Sequence, residues 1–122
     1  MRESGAILHV VAWLVVEERV LASVEIADSW QERLRGVIGR DELDGVFIIS
    51  PAKSVHTFGV NFPIDVAYCD ADFNVLDVVT MDPNRVGKPR WKANVVIEAA
   101  KGSFEKWGVG AGAQLQLRLQ ED

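Results

Sequence analysis

The chain has 122 residues, of which 48 % are hydrophobic and 25 % charged, a composition that suits one globular domain over 1–122 and excludes a disordered or collagen-like chain. Its 13 Lys and Arg residues against 18 Asp and Glu residues give a net charge of −5, which excludes a dedicated nucleic-acid-binding protein. The single cysteine, Cys69, excludes an intramolecular disulfide and a cysteine-based metal site, and we expect its thiol to be buried and inert.

The first part of the chain contains two predicted strands and a short helix. An apolar run at 6–16 predicts a buried strand in which His9 is a structural core residue, and a second strand follows at 20–27. The charged residues at 17–19 indicate a hairpin turn between them. Ser29 precedes Glu32 at the capping-box spacing, and Gly36 stands where a helix would end, so we expect a helix between Ser29 and Gly36.

The same apolar run also bears on the location of the protein. It is shorter than the roughly 20 residues that a membrane-spanning helix needs. Only Arg2 precedes the run, and charged residues follow it where an export signal would carry a small-residue cleavage site. We therefore expect a cytoplasmic protein with no membrane segment.

The second part of the chain is predicted to consist mostly of strands, at 46–49, 64–69, 75–81 and 95–99. Asp and Asn residues at 70–74 suit a tight reversal, 102–108 predicts one or two helical turns, and the alternating tail 114–120 predicts a half-buried strand. Because short strands dominate, the sequence predicts a mainly β, mostly antiparallel domain, either a sandwich or a barrel, with one or two short helices.

Several short motifs occur in an order and spacing that resemble a known family. They are RGVIGR at 35–40, LDGVF at 43–47, HTFGVNFPIDV at 56–66, VIEAAKG at 96–102 and WGV at 107–109, followed by Gly112. Together they resemble the prokaryotic family called domain of unknown function 192, and the resemblance covers 20–119. It implies a compact, mainly β domain from a bacterial source. No activity is established for the family, so the resemblance implies no catalytic residue.

The chain departs from the pattern of that family at two places. Relatives often carry a Phe-Trp-Met segment before the Pro-X-Asp element, where this chain has His56 and Thr57, and they often carry an acid where it has Ala113. Many relatives are exported or tethered to a membrane, whereas this chain shows no such signal. The resemblance therefore implies no site built on that aromatic segment or that acid.

Three polar residues in apolar surroundings are the candidate site residues. Asp65 shares a strand face with Ala67 and Cys69, and a buried carboxylate must be hydrogen-bonded or paired. It is therefore either a structural carboxylate that holds backbone amides or an arginine, or a ligand contact or general base. Glu98 is in the same situation, and His56 can act as an acid, base or ligand near neutral pH, or pack as a hydrogen-bonded ring. We expect His56, Asp65 and Glu98 to converge in one polar cleft.

A basic loop at 85–92 is a second candidate binding surface and the expected mobile rim of that cleft. It holds four cations and one indole, so Arg85, Arg90 and Trp91 are expected to contact a ligand by charge and stacking, with a solvated loop as the alternative. A second basic group lies at 33–40, and an anion site gains support if the two groups meet in space.

No nucleophile elbow, Walker loop, dinucleotide-binding glycine pattern or His-Glu-X-X-His motif occurs in the sequence. We therefore predict a small binding or accessory domain for an unknown small molecule or protein, with no metal and no cofactor. Two alternatives stay open: a hydrolase that uses Asp65 or Glu98 with His56, and a structural subunit of a larger assembly. Nucleic acid is not an expected partner, and the sequence indicates no oligomeric state.

Overall fold

The computed structural model describes residues 10–27 and 29–121, so His9 and the first residues of the predicted N-terminal strand lie outside the described part. The described elements are β1 (Val10–Val16), β2 (Arg19–Ile26), α1 (Trp30–Arg35), β3 (Val46–Ile49), β4 (Ile64–Cys69), β5 (Val75–Met81), β6 (Val95–Ala100), α2 (Ser103–Trp107) and β7 (Gln116–Glu121). The predicted mainly β class with two short helices is confirmed. Neither helix has the length or the apolar content to cross a membrane.

Within the described residues the strands form one sheet of seven, in the order β5-β4-β6-β3-β2-β1-β7. Neighbours are antiparallel except β2 and β3, which run parallel because the connection that contains α1 returns the chain to the same end of the sheet. The end strands β5 and β7 do not pair, and the segments before them meet at an isolated bridge between Asn74 and Gln114. The sheet is therefore open, and the barrel alternative is wrong.

Apolar residues cover both faces of this sheet. One cluster includes Leu14, Ala67 and Phe104, and a second, on the opposite face, includes Phe47 and Val66. The central strands β3, β4 and β6 are buried along nearly their whole length, which accounts for their almost continuous apolar sequence. A polar side chain on one of these strands must therefore find its partners inside the protein.

The turns and helix ends follow the local sequence signals. The Oγ atom of Ser29 accepts a hydrogen bond from the backbone N–H of Glu32 at 3.2 Å, and α1 ends at Gly36. Between β1 and β2, Glu17 and Glu18 both adopt positive φ angles, of 48° and 69°, as the tight turns favoured in hairpins require. The predicted helix and hairpin are both confirmed.

Candidate functional site

A cavity of about 410 Å³ lies beside the C-terminal end of α1, and its volume is in the range of ordinary small-molecule sites. One wall is formed by 33–38 and another by Pro51, Ala52 and 54–56. The buried side chains of Ile49 and Glu98 form its floor. We call this cavity, together with its lining residues, the Glu98 pocket.

Glu98 reaches the floor of the pocket from the middle of the sheet. On β6 it lies between Phe47 of β3 and Val66 of β4, so its neighbours across both strand pairs are apolar. The residue is 3 % exposed, and its Oε1 atom has no hydrogen-bond partner in the described part of the chain. Since buried polar atoms are nearly always paired, an unpaired carboxyl oxygen beside a cavity marks a candidate binding position.

The pKa of the Glu98 carboxyl is raised towards neutral pH. Burial raises the pKa of its carboxyl from 4.5 to about 7, and the charge of Arg40 opposes this rise. Arg40 makes no hydrogen bond to Glu98, because two guanidinium N–H groups donate to the carboxylate of Glu25 at 2.9 and 2.7 Å. A carboxyl that titrates near neutral pH can act as hydrogen-bond donor or acceptor, and has the protonation behaviour of a general acid or base.

Gly36 brings the backbone close to the Glu98 carboxyl. Its φ of 54° and ψ of −127° lie in a region that residues with a side chain rarely adopt. A Cβ atom at this position would lie 3.5 Å from Oε1 of Glu98. Because 3.5 Å is an ordinary van der Waals distance, the backbone conformation that ends α1, and not crowding by Glu98, requires glycine at this position.

His56 is the second predicted site residue that lines the Glu98 pocket. It is exposed, and its Nδ1 atom accepts a hydrogen bond from the backbone N–H of Phe58 at 3.2 Å. The rings of His56 and Phe58 are 5.5 Å apart between centroids, although Phe58 itself does not line the pocket. The structure thus brings His56 and Glu98 to one cavity.

Asp65, in contrast, lies on the opposite face of the sheet. In the pairing of β4 with β6, Glu98 stands opposite Val66, whereas Asp65 stands opposite Ala99. Because successive residues of a strand point to opposite faces, the side chains of Asp65 and Glu98 are separated by the sheet itself. The expectation that His56, Asp65 and Glu98 converge is therefore wrong for Asp65.

The partners of Asp65 explain its burial. Its Oδ1 atom accepts a hydrogen bond from the hydroxyl of Thr80 at 2.7 Å, and its Oδ2 atom accepts from the backbone N–H groups of Gly102 at 3.0 Å and Phe104 at 3.4 Å. These amides belong to the first turn of α2, whose own N-cap residue, Gly102, supplies no side-chain cap. The contacts match the structural alternative, a carboxylate that holds backbone amides.

The basic loop does not contribute to the Glu98 pocket. The guanidinium of Arg90 lies 4.2 Å from the ring centroid of Tyr68 and donates to the carboxylate of Asp77 at 2.8 Å, so its charge is already paired within the fold. Arg85 and Trp91 are exposed, the latter to 77 %. No residue of this loop lines the pocket, although Val86 pairs with His56, which does.

The second basic group does contribute, since Arg33 and Arg35 both line the Glu98 pocket. The two basic groups consequently do not meet there. From the sequence, these two arginines were recognisable only as cations near the end of a predicted helix. Their relation to Glu98 could not be inferred from a separation of more than 60 positions along the chain.

Other reactive chemistry is not indicated in the described residues. No group of three or more His, Cys, Asp or Glu side chains among them is placed to hold a metal ion. Cys69 is buried, and burial raises the pKa of its thiol to about 12, which keeps it in the unreactive protonated form.

Comparison with known proteins identifies the family. The model of the DUF192 family, described as Uncharacterized ACR, matches residues 14–117. A UPF0127 protein of Pyrococcus horikoshii is 33 % identical over 87 residues, which cover 67 % of this chain and 76 % of the relative. A UPF0127 protein of Pyrococcus abyssi is 33 % identical over 98 residues, which cover 76 % of this chain and 84 % of the relative.

A solved structure agrees with this assignment at the level of the fold. The crystal structure of a protein of unknown function from Novosphingobium aromaticivorans has a TM-score of 0.73 at 16 % sequence identity, covering 87 % of this chain and 83 % of that one. The family resemblance noted in the sequence is confirmed. The chain belongs to the DUF192 family, whose curated members carry the name UPF0127 and whose function is unknown.

Proposed function

We propose that this protein is a small-molecule-binding domain whose ligand enters the Glu98 pocket and hydrogen-bonds to the Glu98 carboxyl. The observation that carries the proposal is the unpaired Oε1 atom of Glu98 at the floor of a cavity. An unpaired buried polar group costs about 1–3 kcal/mol. A ligand that supplies the missing partner recovers this free energy when it binds.

The lining of the pocket supports this function. Small-molecule sites combine mostly apolar walls with a few fixed polar groups that orient the ligand. Glu98 is such a fixed group, because β6 is paired on both sides. The apolar part of the lining consists of Leu34, Val37, Ile38, Ile49, Pro51, Ala52, Val55 and Val60.

The proposal is tested by screening fragments against the ¹⁵N-labelled protein. We expect mixtures of small amines, alcohols and amides to shift the backbone amide signals of Gly36, Val37 and Val55, which line the pocket. The Glu98→Gln variant should weaken binding of these hits, whereas Glu105→Gln, an exposed glutamate of α2, should not. Hits that shift only amides outside the pocket, or no hits at all, would overturn the proposal.

A hydrolase is a second candidate function, and one observation favours it. Glu98, whose pKa is raised by burial to about 7, lines the same cavity as His56, and acid–base catalysis needs groups that titrate near the working pH. Turnover of p-nitrophenyl esters or glycosides that is lost in both Glu98→Gln and His56→Gln would support it. Asp65 is no part of this candidate, since it lies on the other face of the sheet.

The cellular location belongs to the same set of proposals. We place the domain in the cytoplasm as part of this proposal. Fractionation of cells that express the natural gene checks this placement, and recovery of the protein outside the cytoplasmic fraction would contradict it.

A further inference from the structure

Two arginines at the mouth of the Glu98 pocket have no partner among the described residues. Arg33 is partly buried and Arg35 is exposed, both belong to α1, and both line the pocket. No ion pair or side-chain hydrogen bond joins either of them to another residue in the described part of the chain. Their guanidinium groups are therefore available to a ligand, in contrast to that of Arg40, which is held by Glu25.

The pocket thus has a carboxyl at the floor, cations at the mouth and apolar walls between them. The floor carboxyl is Glu98, and the apolar lining includes Val37, Ile38 and Val60. A ligand that extends from floor to mouth meets these three environments in turn.

Charge complementarity distinguishes between classes of ligand. A simple cation would pair with Glu98 but be repelled by Arg33 and Arg35. With Glu98 ionised, a simple anion would pair with the arginines but leave the oxygen of Glu98 without a donor. A molecule with a positive group at one end and a negative group at the other satisfies both ends and is neutral overall.

We propose that the ligand of the Glu98 pocket is a small amino carboxylate. Its amino group donates hydrogen bonds to Glu98, its carbon chain contacts the apolar walls, and its carboxylate binds one guanidinium, that of Arg33 or of Arg35, because residues two positions apart on α1 do not face each other. Guanidinium and carboxylate groups form strong, charge-assisted hydrogen bonds in a bidentate geometry. This inference rests on the proposed function, because it names the ligand class of the same site.

A series of unbranched compounds tests the inference by titration calorimetry. The probes are the amino carboxylates γ-aminobutyrate and ε-aminocaproate, with butylamine, hexylamine, butyrate and caproate as the length-matched analogues that lack one charged end. The titrations are made at about pH 8, above the pKa of Glu98. We expect one amino carboxylate to bind roughly tenfold or more tightly than both analogues of its length, since each charged end adds a charge-assisted contact.

Variants assign each end of the probe to its partner. Replacing both mouth arginines (Arg33→Gln with Arg35→Gln) should reduce the affinity for the amino carboxylate to that of the matched amine. The matched control replaces two cations outside the pocket, Lys106→Gln with Arg118→Gln, and should leave the affinity unchanged. Glu98→Gln should reduce the affinity for the amino carboxylate to that of the matched carboxylate.

The outcomes separate this inference from the proposed function. If an amine binds as tightly as the amino carboxylate and the arginine variants change nothing, the amino carboxylate class is wrong while binding at Glu98 stands. If a carboxylate binds as tightly and Glu98→Gln changes nothing, the inference is also wrong. If no probe binds while the fragment screen yields hits that depend on Glu98, this inference alone fails. If the screen is also empty, both fail.

Discussion

Asp65 and Glu98 are carboxyl residues with almost the same burial, 4 % and 3 % exposed, on neighbouring strands of one sheet. Their surroundings differ. Asp65 accepts three hydrogen bonds, one from a hydroxyl and two from backbone amides. The Oε1 atom of Glu98 accepts none from the described residues. Burial alone therefore does not distinguish a structural carboxylate from a candidate binding group, whereas the supply of donors within the fold does.

The largest expected effect is a loss of stability on Asp65→Asn. The substitution removes the negative charge that accepts three hydrogen bonds. It also replaces one accepting oxygen by an N–H₂ group, which cannot accept a hydrogen bond from the donors that face it. We expect a loss of about 3 kcal/mol and a fall in Tm of roughly 10–15 °C, measured by circular dichroism. The exposed Asp44→Asn is the control and should leave Tm nearly unchanged. An unchanged Tm for Asp65→Asn would remove the contrast with Glu98.

The second-largest expected effect is a pH dependence of the stability that Glu98→Gln abolishes. The carboxyl titrates near 4.5 in the unfolded chain and near 7 in the folded protein. Between these values the folded state binds more protons, so the stability of the parent falls as pH rises. The loss amounts to about 2–3 kcal/mol and is complete above about pH 7. The Tm of Glu98→Gln minus that of the parent should therefore rise by roughly 6–12 °C from about pH 4.5 to pH 8.

The control for this pH dependence is Glu105→Gln, which removes an exposed carboxyl of α2. The difference in Tm between this variant and the parent should stay nearly constant over the same pH range, because an exposed group loses little hydration on folding. A constant difference for Glu98→Gln as well would show that the fold already supplies a partner to this carboxyl, which would weaken the proposed binding role.

The smallest effect concerns a second unpaired polar atom, the hydroxyl of Tyr68, which lies outside the Glu98 pocket. A Cβ atom at Gly87 would lie 2.7 Å from this hydroxyl, so the backbone of the basic loop packs against it and leaves little room for a ligand. We expect Tyr68→Phe to leave Tm unchanged or raise it by up to about 4 °C, because it removes a buried unpaired group. Fragment binding should persist, and a clear loss of stability would contradict this explanation.

Much of the local structure could be predicted from the sequence, because its signals act within a few residues. The boundaries of β3, β4 and β5 match the predicted 46–49, 64–69 and 75–81, since each apolar run ends at turn-forming residues. The cap at Ser29 and the helix end at Gly36 were also correct, because both depend on local hydrogen bonds. The polar residues Asp65 and Glu98 were recognised from the same local contrast with apolar neighbours.

The assembly of the site could not be predicted in the same way. Alternation assigns residues to two faces within one strand, but it does not relate the faces of two strands. That relation depends on register, and pairing Glu98 with Val66 sends Asp65 to the other face. Likewise, the link between Arg33 and Glu98 arises only because a connection packs over the sheet, a contact between distant parts of the chain.

The floor and the mouth of the Glu98 pocket lie on parts of the chain that tolerate substitution differently. Glu98 belongs to a strand that is paired on both sides, where a change disturbs the centre of the sheet. The other parts of the lining include Arg33–Arg35 of α1 and the segment 54–56, which lie outside the strands of the sheet. Evolution or protein engineering can therefore alter ligand selectivity by changing the entrance while the anchoring carboxyl and its scaffold stay the same.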